Sequence, residues 1–285
     1  MPDTLDALFI SHTTTSFLQS AIDLSTNTVY NKIYNPLMLK YELRNRLRAV
    51  LHFVLPIFPQ DPLLKLFTYI DGFNLYNGCL KGSPYRWLNL HTFAQQLRPT
   101  DEILKVKFFT ARLHQRLQDP DQPKRQIIYW RALRTIDSIE IIEGQFLTKA
   151  TRLPDVADID RIKAQHDAGA NTRGIWPIMH HVYRSEEKGT DVNLAVHLVN
   201  DAHLNRFDGA VVVSNDSDLV EAVRIVRDVI HKPVFVFHPH SPTPSFKLKQ
   251  VATRFREVAE AHLSASQFPA TLSDAKGIIS KPESW

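Results

Sequence analysis

The chain is poor in cysteine and glycine, and it contains no long apolar run. Its single cysteine, Cys79, excludes an internal disulfide framework and any zinc site built on cysteines, which favours a reducing, cytoplasmic setting. Its nine glycines form neither of the glycine-rich loops that bind nucleotide phosphates. No stretch approaches the roughly 18 apolar residues of a membrane-spanning helix, so we expect no membrane partner.

A large excess of charge of either sign is also absent. The 34 Lys and Arg residues exceed the 30 Asp and Glu residues by four, and the sequence pI is about 9.1. This mild basicity is compatible with a polyanionic partner such as a nucleic acid. A basic surface with no nucleic-acid role explains the charge equally well, so charge alone does not assign a partner.

From Leu63 onward, apolar runs typical of buried strands alternate with helical periodicity. Strands are predicted over residues 63–70, 103–111, 138–148, 209–216 and 233–239. Helices are predicted over 90–97 with Asn89 as the cap, over 123–136, over 190–204 with Thr190 as the cap, over 217–230 and over 246–263. Strands that alternate with helices at these lengths predict an α/β fold with a mostly parallel sheet.

Two segments differ from this alternation. Residues 1–62 are rich in Ser, Thr and Asn and have weak periodicity. They predict an irregular or helical N-terminal extension that is partly disordered, and an over-long gene model would explain them equally. Residues 151–176 are rich in Asp, Arg and Gly and predict a long excursion between β elements. Such excursions are typical of binding loops or of mobile loops.

Acidic residues follow the predicted strands at three places. Asp71 ends the first strand in "FTYIDGFNLYNG", Asp216 and Asp218 follow "GAVVV" in "SNDSDL", and Asp191 opens a helix in "EEKGTDVNLA". Ligands of parallel sheets bind beyond the carboxyl ends of the strands, so we expect these acids at one edge of the sheet. Taken singly, Asp191 and Asp218 are more simply explained as helix caps or dipole partners.

Taken together, the acids indicate more than caps. Clustered carboxylates repel one another and raise one another's pKa unless cations neutralise them. Mg²⁺ and Mn²⁺ are hard ions that bind through carboxylates and waters. One or two such ions can activate water and stabilise the charge that develops on a phosphodiester. The sequence therefore predicts a divalent metal site that supports hydrolysis.

Three motifs, in this order, resemble the NYN-domain family, a branch of the PIN-like metal-dependent ribonucleases that includes the LabA-like proteins. They are "YIDGFNLY" (69–76), "EEKGTDVNLAVHLV" (186–199) and "VVVSNDSDLVEAVR" (211–224). The tail "FPATLSDAKGIISKPESW" is also similar to the end of such domains. The resemblance covers residues 63–285, which are expected to form the nuclease domain, with residues 1–62 as an appendage.

The resemblance implies a PIN-like three-layer α/β/α sandwich and an endoribonuclease that uses Mg²⁺ or Mn²⁺. Its acidic positions, implied to be catalytic and metal-binding, fall on Asp71, Asp191, Asp216 and Asp218. The motif asparagine, implied to be catalytic and to position substrate, is Asn74. The implied partner is RNA, expected to be single-stranded, and because such domains often pair, a homodimer is also implied.

Other residues near these motifs are predicted to assist substrate binding. Ser214 and Asn215 would shape the loop after the strand "GAVVV", and Lys188 would contact the scissile phosphate, although a surface role fits Lys188 equally well. Glu187 either joins the acidic site or is a solvated partner of Lys188. The sequence leaves both alternatives open.

Three rival interpretations are weighed against the nuclease. A phosphatase of the haloacid-dehalogenase type needs a second acid two residues after the strand-end aspartate, where this chain has Phe73. Zinc at His180 and His181 is disfavoured because adjacent residues of a strand point to opposite faces. A catalytically inactive PIN-like scaffold that binds RNA or protein stays as the alternative, although four unused clustered acids would reduce stability.

Overall fold

A seven-stranded sheet forms the centre of the computed structural model, which describes residues 63–115, 119–239 and 242–285. The extension predicted over residues 1–62 lies outside the described residues. The strands are β1 (Lys65–Asp71), β2 (Glu102–Ala111), β3 (Ile139–Pro154), β4 (Met179–Lys188), β5 (Gly209–Val213), β6 (Val234–His238) and β7 (Arg254–Glu257). Their order is β4-β3-β2-β1-β5-β6-β7, and all neighbours are parallel except β3 and β4. The mostly parallel sheet is as predicted.

Helices flank the sheet, and a separate hairpin follows it. The helices are α1 (Gly72–Leu75), α2 (Leu90–Leu97), α3 (Gln122–Leu133), α4 (Val156–Asp167), α5 (Thr190–His203), α6 (Val220–Arg224), α7 (Phe246–Val251) and α8 (Glu260–Ser264). Short 3₁₀ and π-helical turns adjoin α1 and α6, at Tyr76–Leu80, Ser217–Leu219 and Ile225–Val229. The hairpin consists of β8 (Thr271–Asp274) and β9 (Gly277–Ser280). None of the helices in the described residues is long and apolar enough to cross a membrane.

The two faces of the sheet carry separate apolar cores. Ile70 of β1 points into a core that includes side chains of α2, α3 and α8. Its neighbour Tyr69 points to the other face, where side chains of α5, α6 and α7 cover the sheet. Alternation along β1 therefore supplies both cores. The result is the α/β/α sandwich that the resemblance implied.

The two predicted helix caps have different outcomes. Asn89 caps α2, because its Oδ1 accepts hydrogen bonds from the backbone amides of His91 and Thr92 at 3.0 and 3.1 Å. The prediction that Thr190 caps the helix now numbered α5 is wrong. Gly189 holds the cap position with φ 94°, a left-handed conformation that suits glycine. Glu187 Oε1 accepts the Thr190 amide at 3.0 Å instead.

The predicted final helix over residues 246–263 is wrong. The chain forms α7, then the edge strand β7, then α8. The Thr253 amide donates to the Val234 carbonyl at 2.8 Å, and β7 runs parallel to β6 from there. The edge of β6 offers backbone hydrogen-bond partners to residues 254–257. This pairing between strands overrides the helical periodicity of the local sequence.

The excursion predicted between β elements over residues 151–176 is present, with its bounds shifted to residues 155–178 between β3 and β4, but the pairing of these two strands was not predicted. β3 leaves its partner β2 after Gly144 and pairs instead with β4, from Gln145–Lys188 to Pro154–Met179. Helix α4 lies in the connection between them. Residues 145–154 and 179–188 therefore form a two-stranded ribbon that projects beyond the carboxyl edge of the sheet. Both faces of the ribbon are largely exposed, so the sequence lacks the alternation that would have revealed it.

A buried ion pair fixes α5 to the sheet. Asp201 of α5 is fully buried and pairs with Lys107 of β2, which is 4% exposed. The Tyr69 hydroxyl and the Arg206 guanidinium also donate to this carboxylate, each at 2.8 Å. Burial acts to raise the pKa of Asp201, but the three donors together hold that pKa below its usual value. Because α5 also carries Asp191, this pair positions an acid of the predicted site.

We expect Asp201→Ala to lower the free energy of unfolding by about 3 to 5 kcal/mol, because it leaves the Lys107 ammonium buried without its partner. Tyr69→Phe, which removes one of three donors, should lower it by only about 1 kcal/mol. Urea denaturation of the three proteins measures the difference. Equal losses in the two variants would contradict the assignment of the ion pair as the anchor of α5.

Candidate active site

An open cavity of about 400 Å³ lies at the carboxyl edge of the sheet. All three sequence motifs reach it: Asp71 and Asn74 come from the first, Asp191 from the second, and Asp216 from the third. The remaining lining residues are Phe73, Asn77, Gly78, Glu187, Thr190, Asn215, Pro239 and Pro242. No Lys, Arg or His is among these described lining residues, so the cavity is acidic.

Asp71 is the buried acid of the cavity. It ends β1, is 4% exposed, and accepts the Asn74 amide on Oδ1 at 2.9 Å and the Ser214 hydroxyl on Oδ2 at 3.0 Å. Burial raises the pKa of Asp71 to about 6, against the opposing effect of these hydrogen bonds, and repulsion from Asp216 adds to the rise. The carboxylate is thus held in one orientation and is unfavourable to ionise.

Gly72 allows the chain to turn immediately after Asp71. A Cβ at this position would lie 2.7 Å from the Phe109 carbonyl oxygen and 2.8 Å from the Phe108 ring. Any side chain would therefore force β1 and β2 apart or displace α1. The glycine of the "DGFN" sequence is explained by this close approach, which lets α1 begin at the edge of the sheet.

Ser214 and Asn74 join the first motif to the third. Ser214 is fully buried, and its hydroxyl accepts the Asp216 amide at 3.0 Å while it donates to Asp71. Asn74 Oδ1 accepts the Asn215 amide at 3.0 Å. The Nδ2 end of Asn74 is then the donor that this side chain offers to the cavity. Ser214, predicted to assist substrate binding by shaping this loop, lies beneath the site and orients its acids.

Asn215 connects the site to the segment that follows β6. Its Nδ2 donates to the Thr243 carbonyl at 3.1 Å, and its Oδ1 accepts the Ser245 amide at 2.7 Å. These bonds hold the wall of the cavity that contains Pro239 and Pro242. Asn215 therefore shapes the site, in the position that the sequence assigned to it.

Asp191 reaches the cavity by a different route from the other acids. β4 runs antiparallel to β3 and ends at Lys188, opposite Gln145, so the chain returns to the carboxyl edge of the sheet before α5 begins. The pKa of Asp191 is raised to about 6. Burial is the largest cause, and repulsion from Asp71, Asp216, Glu187 and Asp218 adds to the rise. Asp191 therefore lies within electrostatic reach of every other acid of the cluster.

Glu187 and Lys188, whose roles the sequence left open, and Asp218, predicted to be catalytic and metal-binding, can now be placed. Glu187 lines the cavity. Lys188 does not line it: the Lys188 Nζ lies 3.0 Å from Glu186 Oε2, and the side chain is 60% exposed. Asp218 is exposed and outside the lining, with its amide donating to Asp216 Oδ1 at 2.9 Å. It is still near enough to raise the pKa of Asp191.

Several lining residues were missed by the sequence analysis. Phe73, Asn77 and Gly78 lie within or beside the first motif, where their only signal was proximity to Asp71. Pro239 follows β6, which pairs with β5. Its place at the site depends on the order of strands in the sheet, which the sequence does not give.

The donor set suits a hard cation better than a soft one. Asp71, Asp191 and Asp216 offer carboxylate oxygen atoms to the cavity, and its described lining contains no histidine or cysteine. Within the described residues, no three acidic, histidine or cysteine side chains already stand as a complete metal site. Mg²⁺ needs only one or two carboxylates because it keeps several waters, so the residues present fit such an ion.

The raised pKa of Asp71 predicts how stability depends on pH without divalent ions. A carboxyl whose pKa rises from 3.8 to about 6 on folding stabilises the fold below about pH 4, and that contribution is lost as the pH rises through 6. Asp71→Asn cannot ionise. We therefore expect the free energy of unfolding of Asp71→Asn, relative to that of the unmodified protein, to increase by about 2 kcal/mol between pH 4 and pH 8. Urea denaturation in the presence of EDTA measures this difference.

Asp274→Asn is the matched control for this measurement. A hydrogen bond from Arg131 lowers the pKa of Asp274 to about 2, so its contribution changes below pH 4 and is constant above pH 5. Its stability difference from the unmodified protein should be flat from pH 5 to pH 8. A flat difference for Asp71→Asn as well would contradict a raised Asp71 pKa.

Comparison with known proteins finds a matching family model, a similar protein and a similar solved structure. The NYN domain family model matches residues 65–259. The 6-hydroxy-3-succinoylpyridine 3-monooxygenase HspA of Pseudomonas putida is 31% identical over 245 residues, which are 78% of this chain and 75% of that protein. A crystal structure of a protein of unknown function from Vibrio parahaemolyticus is 17% identical, with a TM-score of 0.41 over 74% of this chain and 100% of that one. The chain belongs to the NYN domain family, within the PIN-like ribonuclease superfamily.

Proposed function

We propose that the protein is a metal-dependent endoribonuclease that hydrolyses RNA phosphodiester bonds in the acidic cavity. The observation that carries the proposal is the meeting of Asp71, Asp191 and Asp216, from three separate segments, in a cavity whose described lining contains no cationic side chain. Uncompensated acids raise one another's pKa and are unfavourable, so their convergence is best explained by a cation. NYN domains are generally nucleases, which supports the same chemistry.

Four acids are proposed to hold Mg²⁺ or Mn²⁺, directly or through waters: Asp71, Asp191, Asp216 and Asp218. When bound, such an ion activates water and neutralises the charge that develops on the phosphodiester. Hydrogen bonds to both oxygens hold Asp71 in one orientation, as a ligand requires. Asp218, which is exposed outside the cavity lining, suits an outer role through water.

Other side chains would position the RNA. Asn74 Nδ2 is a neutral donor in an otherwise acidic cavity, and it is proposed to donate to a phosphate oxygen of the substrate. Ser214 and Asn215 act through other groups, because the first orients Asp71 and the second holds the wall that contains Pro239. Glu187 is proposed to join the acids. The lone cysteine supports a cytoplasmic setting, and a homodimer stays a prediction.

A second candidate function follows from the relative HspA. Its name describes a monooxygenase that acts on a hydroxylated pyridine. A monooxygenase transfers one oxygen atom of O₂ to its substrate and reduces the other to water, with two electrons from a reductant and two protons. The aromatic side chain of Phe73 in the cavity lining is compatible with a small aromatic substrate. The acidic lining is better matched to a cation, so we rank this candidate second.

Cleavage of RNA tests the first proposal. Purified protein with Mn²⁺ should cut labelled single-stranded RNA, and EDTA should stop it. Asp71→Asn/Asp216→Asn should reduce the rate by about 100-fold or more, because it removes two carboxylates from the proposed ion site. The matched control Asp228→Asn/Asp274→Asn changes the same charge at two surface ion pairs and should leave the rate unchanged.

The other outcomes separate the alternatives. Equal cleavage by the active-site variant and the unmodified protein would place the activity elsewhere or in a contaminant. Retention of RNA without cleavage would favour the inactive RNA-binding scaffold. Oxygen consumption that requires a reductant and 6-hydroxy-3-succinoylpyridine, with no RNA cleavage, would favour the monooxygenase.

A further inference from the structure

The ribbon formed by residues 145–154 and 179–188 has two chemically different faces. Residues paired directly across antiparallel strands share a face, and alternate pairs share the same one. One face therefore contains the pairs Phe146–Glu187, Thr148–Ser185, Ala150–Tyr183 and Arg152–His181. The Thr148 hydroxyl donates to the Ser185 hydroxyl at 3.0 Å, in agreement with this assignment. We call this the cavity-side face.

The cavity-side face begins at the acidic cavity. Glu187, in its first pair, lines the cavity. The ring of Phe146, the residue opposite Glu187, packs edge-on against the ring of Phe73 with centroids 5.5 Å apart, and Phe73 also lines the cavity. A chain that leaves the cavity in this direction therefore passes directly onto the ribbon.

Beyond Glu187, the described pairs of this face contain no acid. Tyr183 is 85% exposed, and the residue paired with it is the small Ala150, which leaves the ring accessible. Arg152 is exposed and makes no ion pair with the described part of the chain. Two hydroxyls, from Thr148 and Ser185, lie between Tyr183 and the cavity. The face thus offers an aromatic platform, a cation and neutral hydrogen-bonding groups.

The opposite face has a different composition. It contains three cations, Lys149, Arg184 and Lys188, and one acid, Glu186, which pairs with both Arg184 and Lys188. The opposite face therefore has the larger positive charge, but its pairs contain no tyrosine, tryptophan or phenylalanine. Of the two faces of the ribbon, the cavity-side face is the one that places an exposed aromatic ring beside an arginine and leads to the cavity.

We propose that the cavity-side face of the ribbon binds single-stranded RNA as it enters the acidic cavity, with a base stacked on Tyr183 and a phosphate bound by Arg152. The inference rests on the proposed nuclease function and names the part of the substrate that lies outside the cavity. Tyr183 lies four residues from Glu187 along β4, about 13 Å away at the rise of an extended strand. A base can stack there only if it is unpaired, which selects single strands over duplexes.

The ribbon lacks a packed core of its own, as expected of a segment that is covered when a ligand binds along it. Helix α4, at its far end, has no buried residue, and a two-stranded ribbon without a core is marginally stable in water. Val156 and Trp176, near that end, are 73% and 86% exposed. These apolar side chains make a second copy of the chain the main alternative occupant, and the experiment below distinguishes it.

Binding is measured first in EDTA, where no cleavage occurs, with a fluorescein-labelled single strand of about 16 nucleotides. Arg152→Ala/Tyr183→Ala should weaken binding by about 10-fold or more. The slope of the logarithm of the binding constant against the logarithm of salt concentration should become shallower by about 0.7, because one phosphate contact is lost. The matched control Leu147→Ala/Lys149→Ala removes one apolar side chain and one cation from the opposite face. It should bind within about threefold of the unmodified protein.

Cleavage with Mn²⁺ provides the second readout. The Arg152→Ala/Tyr183→Ala variant should cut a dinucleotide as fast as the unmodified protein does, because neither residue lines the cavity. It should cut the longer strand with a raised KM. Loss of binding in EDTA by this variant alone, with no cleavage by any protein, would support the ribbon proposal and reject the nuclease proposal.

Three results would overturn the ribbon proposal. The first is no binding of single-stranded RNA by the unmodified protein in EDTA. The second is an equal loss of affinity in both double variants, which would indicate charge without a preferred face. The third is a lower mass by light scattering for Arg152→Ala/Tyr183→Ala with RNA affinity unchanged, which would assign the face to contact between copies of the chain.

Discussion

The structure of the site depends on one buried carboxylate at the end of β1. Asp71 accepts hydrogen bonds from the Asn74 amide in α1 and from the Ser214 hydroxyl beyond β5. These bonds fix the exits of two neighbouring strands, β1 and β5, relative to each other. Gly72 leaves room for the turn from β1 into α1. The same burial raises the Asp71 pKa, so the arrangement that orders the site also makes its charge unfavourable, which is the reason for proposing a cation there.

A second acid of the cavity, Asp191, is positioned by helix α5, which packs against the sheet. Asp191 lies in the first turn of α5, and the Lys107–Asp201 ion pair holds that helix against β2 from within the core. Asp191 is thereby placed by packing and by a buried charge pair more than a helical turn away. The two arrangements explain how acids that are far apart in sequence meet at one cavity.

The sequence predicts best the parts whose signals are local. Buried strands such as β5 are continuous apolar runs, Asn89 is a recognisable cap, and the strand-end aspartates follow from the geometry of parallel sheets. The ribbon and β7 could not be predicted in this way, because exposed pairing and edge pairing leave no apolar pattern. Pro239 was missed for a related reason, since it joins the site through the strand order alone.

The acidic cavity and the exposed ribbon meet at Glu187, Phe73 and Phe146, and both proposals depend on the chemistry of the cavity acids. Crystals of the protein soaked in Mn²⁺ and measured at a wavelength where manganese scatters anomalously would show whether these acids bind a divalent cation. We expect an anomalous peak in the cavity, among Asp71, Asp191 and Asp216. Absence of a peak there at saturating Mn²⁺, with the carboxylates ordered, would contradict the proposed binding of a divalent cation.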